Sequence, residues 1–213
     1  MASNTFSISL HLLRYFIFFT RNTIGIINSP YETYRKMVHK NETLGQLIYI
    51  FLLGIAYFTF AALVRTGLKN PFLLTLQFNK LVIGSLLNFL IVVFFLYYLG
   101  KALGGKGTFR NVLLSWSYTL IPTLIWFFAT SILYILIPPP RTMSLSGKLF
   151  SVFYVGFSIA LLYWKIILYY LSLRFALKLD LLKITLISAI FSIYIAAYGV
   201  IMYRLGIFRI PFI

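Results

Sequence analysis

The chain has 213 residues, 61% of them hydrophobic and only 10% charged, with 19 basic side chains against three acidic ones and a formal charge of +16. A soluble domain needs roughly 25% charged residues to cover itself, so a water-facing surface is excluded and lipid is the solvent for most of the chain. The basic residues stand in ones and twos at the edges of long apolar runs, which excludes a nucleic-acid-binding domain, and the absence of cysteine excludes disulfides and thiolate metal sites.

Residues 6–27 read as an amphipathic helix lying in the headgroup plane. The apolar stretch 10–19 is too short to cross, and Arg14 and Arg21 flank its centre. Arg14 also lies inside that run, and no small-residue cleavage site follows, so no cleavable signal peptide is expected. Asn28, Ser29 and Pro30 break the helix; a sixth span is the competing reading. The polar segment 31–43, with Arg35, Lys36 and Lys40, leads into the first span, for which Thr43 is the expected cap.

The chain therefore divides into an interfacial lead, 1–43, and a bundle, 44–213. Five runs in the bundle, 44–64, 81–99, 112–137, 149–173 and 181–203, reach the length of about 20 apolar residues that crosses a hydrocarbon core. They are continuously apolar, whereas barrel strands alternate, so the expected fold class is an all-α, polytopic membrane protein. Segment 70–78 is expected along the interface, Pro138, Pro139 and Pro140 stiffen the exit of the third span, and Phe208, Pro211 and Phe212 anchor the tail.

Within the spans, Ser85, Asn88, Ser115, Thr119 and Thr123 either line a polar path or bond across helices; with no ionisable residue among them, bonding across helices is the expectation. Pro122 removes a backbone donor and should bend the third span near Tyr118. Ser188, Ser192 and Ala196, and Gly156 with Ala160, recur every four residues and are expected to be packing seams. Lys165 is the one charge well inside a span; it either snorkels to the interface or is functional, with Asp180 as its expected partner.

With the N-terminus in the cytoplasm, eleven basic residues lie inside: Arg14, Arg21, Arg35, Lys36, Lys40, Lys101, Lys106, Arg110, Arg174, Lys178 and Lys183. Seven lie outside: Arg65, Lys69, Lys80, Arg141, Lys148, Arg204 and Arg209. That bias places the C-terminus outside. Tyr97, Tyr98, Trp116, Tyr118, Tyr169 and Tyr170 fall near the inner ends of the spans, where an aromatic belt is expected.

Between spans two and three the chain reads Gly100-Lys-Ala-Leu-Gly-Gly-Lys-Gly-Thr108. It nearly spells a phosphate-binding loop, but Gly107 occupies the Ser/Thr position and the preceding element is a membrane helix, so the expected structure is a tight basic turn. The segment Leu103-Gly-Gly-Lys-Gly-Thr-Phe109, followed by Leu113, Leu114, Tyr118 and Pro122, resembles the central signature of the Yip-domain family of five-span membrane proteins. Ser29-Pro30-Tyr-Glu-Thr-Tyr34 is similar to that family's lead-in, and 171–183 to its link into the last span. Asn41-Glu42-Thr43-Leu44-Gly45 stands where eukaryotic members carry an Asp-Leu-Tyr-Gly-Pro type motif, so the chain is more similar to prokaryotic members. The resemblance implies five helices, an inward N-terminus and the prokaryotic cytoplasmic membrane.

No span offers a carboxylate pair, a metal-ligand cluster or a histidine base, so neither catalysis nor a cofactor is expected. The expected function is a membrane scaffold or adaptor. Lys101, Gly104, Gly105, Lys106, Gly107, Phe109 and Arg110 of the glycine loop, with Arg174, Lys178 and Lys183 of the last link, would form one cytoplasmic docking surface. Its expected partners are anionic lipids or other membrane proteins, including self-association. The alternative is an accessory or path-forming subunit of an ABC-type exporter.

Overall fold

A computed structural model describes residues 2–40, 42–67, 70–136 and 145–206. The triple proline and the aromatic tail noted in the sequence lie outside these residues. All regular structure among them is helical: α1 (Ala2–Asn28), α2 (Pro30–His39), a 3-10 turn (Leu44–Gln46), α3 (Leu47–Thr66), α4 (Pro71–Ala102), α5 (Phe109–Tyr118), α6 (Leu120–Leu136), α7 (Leu145–Ala176) and α8 (Leu181–Arg204). Five stretches of helix are long and apolar enough to cross a membrane, and they coincide with the five expected spans: α3 with its leading turn, α4, α5 joined to α6, α7 and α8.

Helices α4 and α7 each run for 32 residues, about 48 Å at 1.5 Å per residue, so both overshoot a hydrocarbon core about 30 Å thick. Segment 70–78, expected along the interface, is instead the first two turns of α4. Asn70 caps that helix by accepting from the Leu73 amide at 3.2 Å, and Pro71 supplies the fixed φ of a first helical residue. Thr43 does not cap in this way: its backbone precedes the 3-10 turn, but its hydroxyl is buried without a partner among the described residues.

The third span is two helices. Thr108 caps α5 through the Asn111 amide, and the helix breaks at Thr119, whose amide and hydroxyl both reach the Trp116 carbonyl, at 2.9 and 2.7 Å. Pro122 stands three residues on and has no N–H to offer the Tyr118 carbonyl, so the regular ladder lapses at this turn.

Buried side chains gather toward the end of the bundle that carries the α4–α5 loop and the α7–α8 link. One cluster joins α4, α5, α7 and α8 around Val93, Leu96, Trp116, Leu177, Ile187 and Phe191. A second joins α1, α2, α3, α5 and α7 around Ile26, Tyr34, Met37, Ile50, Tyr118 and Leu168. Elsewhere apolar side chains face outward, as lipid permits: α7 exposes Val152, Phe153 and Tyr163 by 67 to 72%. Helix α1 buries Asn22 and Ile26 while exposing Leu13, Ile17, Ile24 and Ile27, and it meets the bundle at the start of α3, where Tyr49 donates to the Leu12 carbonyl at 2.8 Å.

The small-residue seams are corrected. Gly156 and Ala160 face outward, with nothing within 4 Å of a Cβ built on Gly156, and Ser192 and Ala196 are exposed. Ser188 does bond another helix, at the Tyr169 hydroxyl, 3.1 Å away. The expected cross-helix bonds do form at Asn88, which accepts from Tyr194 at 2.7 Å, at the Ser115–Ser172 pair, 2.9 Å apart, and at Thr123.

Candidate functional site

The glycine loop is fastened to the last link. After α4 the Gly104 amide donates to the Lys101 carbonyl at 2.9 Å and the Gly105 amide to the Gly100 carbonyl at 2.8 Å, which reverses the chain. Gly104 holds φ +83°, a left-handed conformation that glycine adopts without strain. The Lys106 amide then donates to the Leu177 carbonyl at 3.0 Å, just past the end of α7. Here Gly107 is pressed so closely on α7 that a methyl group in its place would overlap the Ala176 carbonyl oxygen.

With these bonds made, the Gly104, Gly105 and Lys106 amides already have acceptors and do not form a phosphate cradle. Four cations stand around this junction. Lys101 lies 5.8 Å from the Tyr97 ring, Lys106 is exposed, and Lys178 is exposed with φ +56°. The Lys183 ammonium sits over Gly104, 3.5 Å from where a Cβ would stand. Asp180, exposed in the same link, is the one acid beside them; it precedes α8 without a side-chain cap bond.

The remaining candidates are engaged elsewhere. Phe109 packs its ring against Phe94 and Tyr97, at 5.0 and 5.5 Å between centroids. Arg110 donates to the Glu42 carbonyl at 3.1 Å, tying α5 to the turn before α3. Arg174 is exposed and bonds the Tyr170 hydroxyl one turn back on its own helix. Lys165 neither snorkels nor meets Asp180: its ammonium donates to the Thr123 hydroxyl at 2.7 Å, linking α7 to α6, while Asp180 lies fifteen residues further along the chain.

A second constellation was not foreseen. Glu42, one of only three acids, is 8% exposed and accepts from Arg21 and from the Asn22 amide at 2.6 Å. Gln46, fully buried, takes the Asn22 amide at 2.9 Å and the Tyr118 hydroxyl at 2.6 Å on its own carbonyl oxygen. Tyr118 and Trp116 are therefore core residues and not members of an interfacial belt. Tyr34, also fully buried, donates to the Ser115 carbonyl at 3.2 Å, and burial pushes its hydroxyl pKa well up, with Tyr118 adding to the effect.

The network holds α1, α2, the 3-10 turn and α5 in one arrangement. A carboxylate buried with a cation and two amides is satisfied as it stands, so it serves as a junction and not as a free acid or base. The sequence signal was the scarcity of acids: an isolated Glu in a chain of this charge asks for a cationic partner, and Arg21 faces it across the α1–α3 contact.

The model of the Yip1 domain matches residues 24–203. No match emerges among curated proteins or among solved structures. The matched range holds α2, all five spans, the glycine loop and the buried network apart from Arg21 and Asn22, and with the five crossing helices it settles the kinship: this chain is a multi-span membrane protein that belongs to the Yip1-domain family.

Proposed function

We propose that this protein is a non-catalytic scaffold that docks other membrane components on the platform formed by the α4–α5 loop and the α7–α8 link. One observation carries the reading: the Lys106 amide bonds the Leu177 carbonyl, so Lys101, Lys106, Lys178 and Lys183 are presented from a single fastened surface instead of two independent loops. Cations held on a rigid base lose less freedom on binding than cations on loose loops, and they steer an acidic partner or an anionic lipid surface toward the same spot.

In this reading the platform faces the cytoplasm, the N-terminus lies on the same side, the C-terminus lies outside, and the membrane is the prokaryotic cytoplasmic one. The eleven-to-seven distribution of basic residues supports that orientation. Arg110, Phe109 and Arg174 play structural parts here, because each already has a partner within the chain.

The test is a triple substitution, K101Q/K106Q/K178Q, which spares Arg110 and hence the Glu42 junction. Partners are captured from native membranes in mild detergent and identified by mass spectrometry. The wild-type chain should retain a membrane protein that the triple variant releases; equal retention would overturn the platform. Stoichiometric recovery of an ATPase with its permease would turn the reading to the exporter subunit.

A further inference from the structure

We propose that the cleft between α1 and α2 binds the phosphate of an anionic phospholipid. The cleft encloses about 350 Å³ and is lined by Arg21, Ser29, Thr33, Lys36, Lys40 and Glu42, among others. It shares no residue with the loop–link platform and does not depend on the function proposed there.

The charge balance favours an anion. Glu42 is the only acid on the wall, and its carboxylate is consumed by Arg21 and Asn22. Arg21 donates from Nη2 to Glu42 and from Nε and Nη2 to the Asn22 side-chain oxygen at 3.4 and 3.3 Å, while its side chain stays 51% exposed and its Nη1 remains for a further acceptor. Lys36 has only the solvent-exposed Glu32 at 3.3 Å, one turn back on the same helix, a contact worth little in water. Lys40 makes no ion pair among the described residues. Three basic side chains thus line a polar hollow whose one acid is already taken, with Lys36 held only by an exposed pair and Lys40 in no ion pair among the described residues.

The surroundings indicate a lipid as the source of that phosphate. Ile17 and Ile24 flank Arg21 one turn away on either side of α1, and they are 56% and 53% exposed. Leu13 and Ile27 extend the same open apolar character along the helix, at 55% and 57%. A phosphate in the cleft would therefore have hydrophobic surface beside it on which acyl chains can lie, as on a helix resting at the headgroup boundary. Ser29 and Thr33 add polar groups at the wall, although Thr33 already donates to the Ser29 carbonyl at 2.9 Å.

The test is made on the full chain in nanodiscs of phosphatidylcholine doped with phosphatidylglycerol, with bound lipid counted by native mass spectrometry after release into detergent. Wild type should retain phosphatidylglycerol over phosphatidylcholine. K36Q/K40Q keeps Arg21 and the Glu42 junction, so it should fold normally yet bind phosphatidylglycerol about thirtyfold more weakly, at about fivefold per lysine removed. Lys80→Gln, which removes an exposed cation outside both the cleft and the loop–link platform, should bind as wild type does. Equal retention of phosphatidylglycerol by K36Q/K40Q, or equal retention of both lipids by wild type, would overturn the proposal. Inorganic phosphate serves as the competitor: failure to displace the lipid supports a lipid site, and displacement at equal concentration would overturn the lipid assignment in favour of free phosphate.

Discussion

Gly107→Ala is the sharpest perturbation of the loop–link junction. The added methyl would overlap a backbone carbonyl oxygen, that of Ala176, and a carbonyl in the last turn of α7 has no rotamer by which to move aside. Relief requires the α4–α5 loop to lift from α7. Lifting breaks the Lys106–Leu177 backbone bond, about 1 kcal/mol, and loosens packing around the fully buried Leu177, for which overpacking costs of about 1–3 kcal/mol apply. The expected destabilisation is about 2–4 kcal/mol, read from unfolding in mixed micelles of rising SDS fraction by tryptophan fluorescence. Trp116 is a suitable reporter, being 6% exposed and packed edge-on against Tyr169 and Phe191 in the cluster that includes Leu177. Two controls set the expected ranking. Gly104→Ala meets only the Lys183 ammonium, at an ordinary 3.5 Å, but must hold φ +83°, so about 1 kcal/mol is expected. Gly156→Ala meets nothing at all inside a helix and should gain about 0.5–1 kcal/mol. If Gly107→Ala and Gly156→Ala unfolded alike, the close approach of loop and link would be refuted.

The buried contacts and the five crossings carry five other outcomes. Tyr118→Phe removes one donor from the Gln46 oxygen, which keeps the Asn22 amide, and should cost about 1 kcal/mol in the same unfolding assay; Glu42→Leu leaves one Asn22 N–H without an acceptor and the half-exposed Arg21 without its carboxylate, and should cost about 1–3 kcal/mol. Lys165→Met replaces an ammonium that has a single hydroxyl partner within the bilayer, so stability should hold or rise; a marked loss would show that the bond to Thr123 is structural. Tyr34 is held as the neutral phenol with its pKa raised, so its contribution is whole below the ordinary tyrosine value of about 10 and is lost as pH climbs beyond it. Alkaline unfolding should accordingly begin at higher pH in Tyr34→Phe than in wild type, each scaled to its own stability at neutral pH. Reporter fusions should find the N-terminus in the cytoplasm and the C-terminus outside, and both termini on one side would refute an odd number of crossings.

The five spans were legible because a hydrocarbon core imposes a length and an apolarity that few side chains can disguise. What stayed hidden has a common cause: composition says which residues meet lipid but not which helix stands beside which. Gly156 and Ala160 have the spacing of a seam, yet they lie on an outward face of α7, where a lipid chain is as good a neighbour as a helix. Tyr118 reads as a belt residue by its depth and proves to be wholly buried, because Gln46, 72 positions earlier, receives its hydroxyl. Lys165 reads as a snorkelling cation and instead finds Thr123, 42 positions back.

The glycine motif shows how a local signature acquires its meaning from a distant partner. Taken alone, Gly104-Gly-Lys-Gly107 is a flexible turn, and the exposed lysines around it are ordinary topological charges. Set against the Ala176 and Leu177 carbonyls, Gly107 becomes the place where a side chain would push the loop off the link, and Gly104 the place where the chain must turn left-handed to reach them. At the far side of α5, Arg110 bonds the Glu42 carbonyl while Glu42 gathers Arg21 and Asn22. One short helix is thus pinned on one side by the last link and on the other by the lead before the first span. A force that shifts α5 must strain both junctions, so an occupant of the α1–α2 cleft and an occupant of the loop–link platform would each act on the same ten-residue helix.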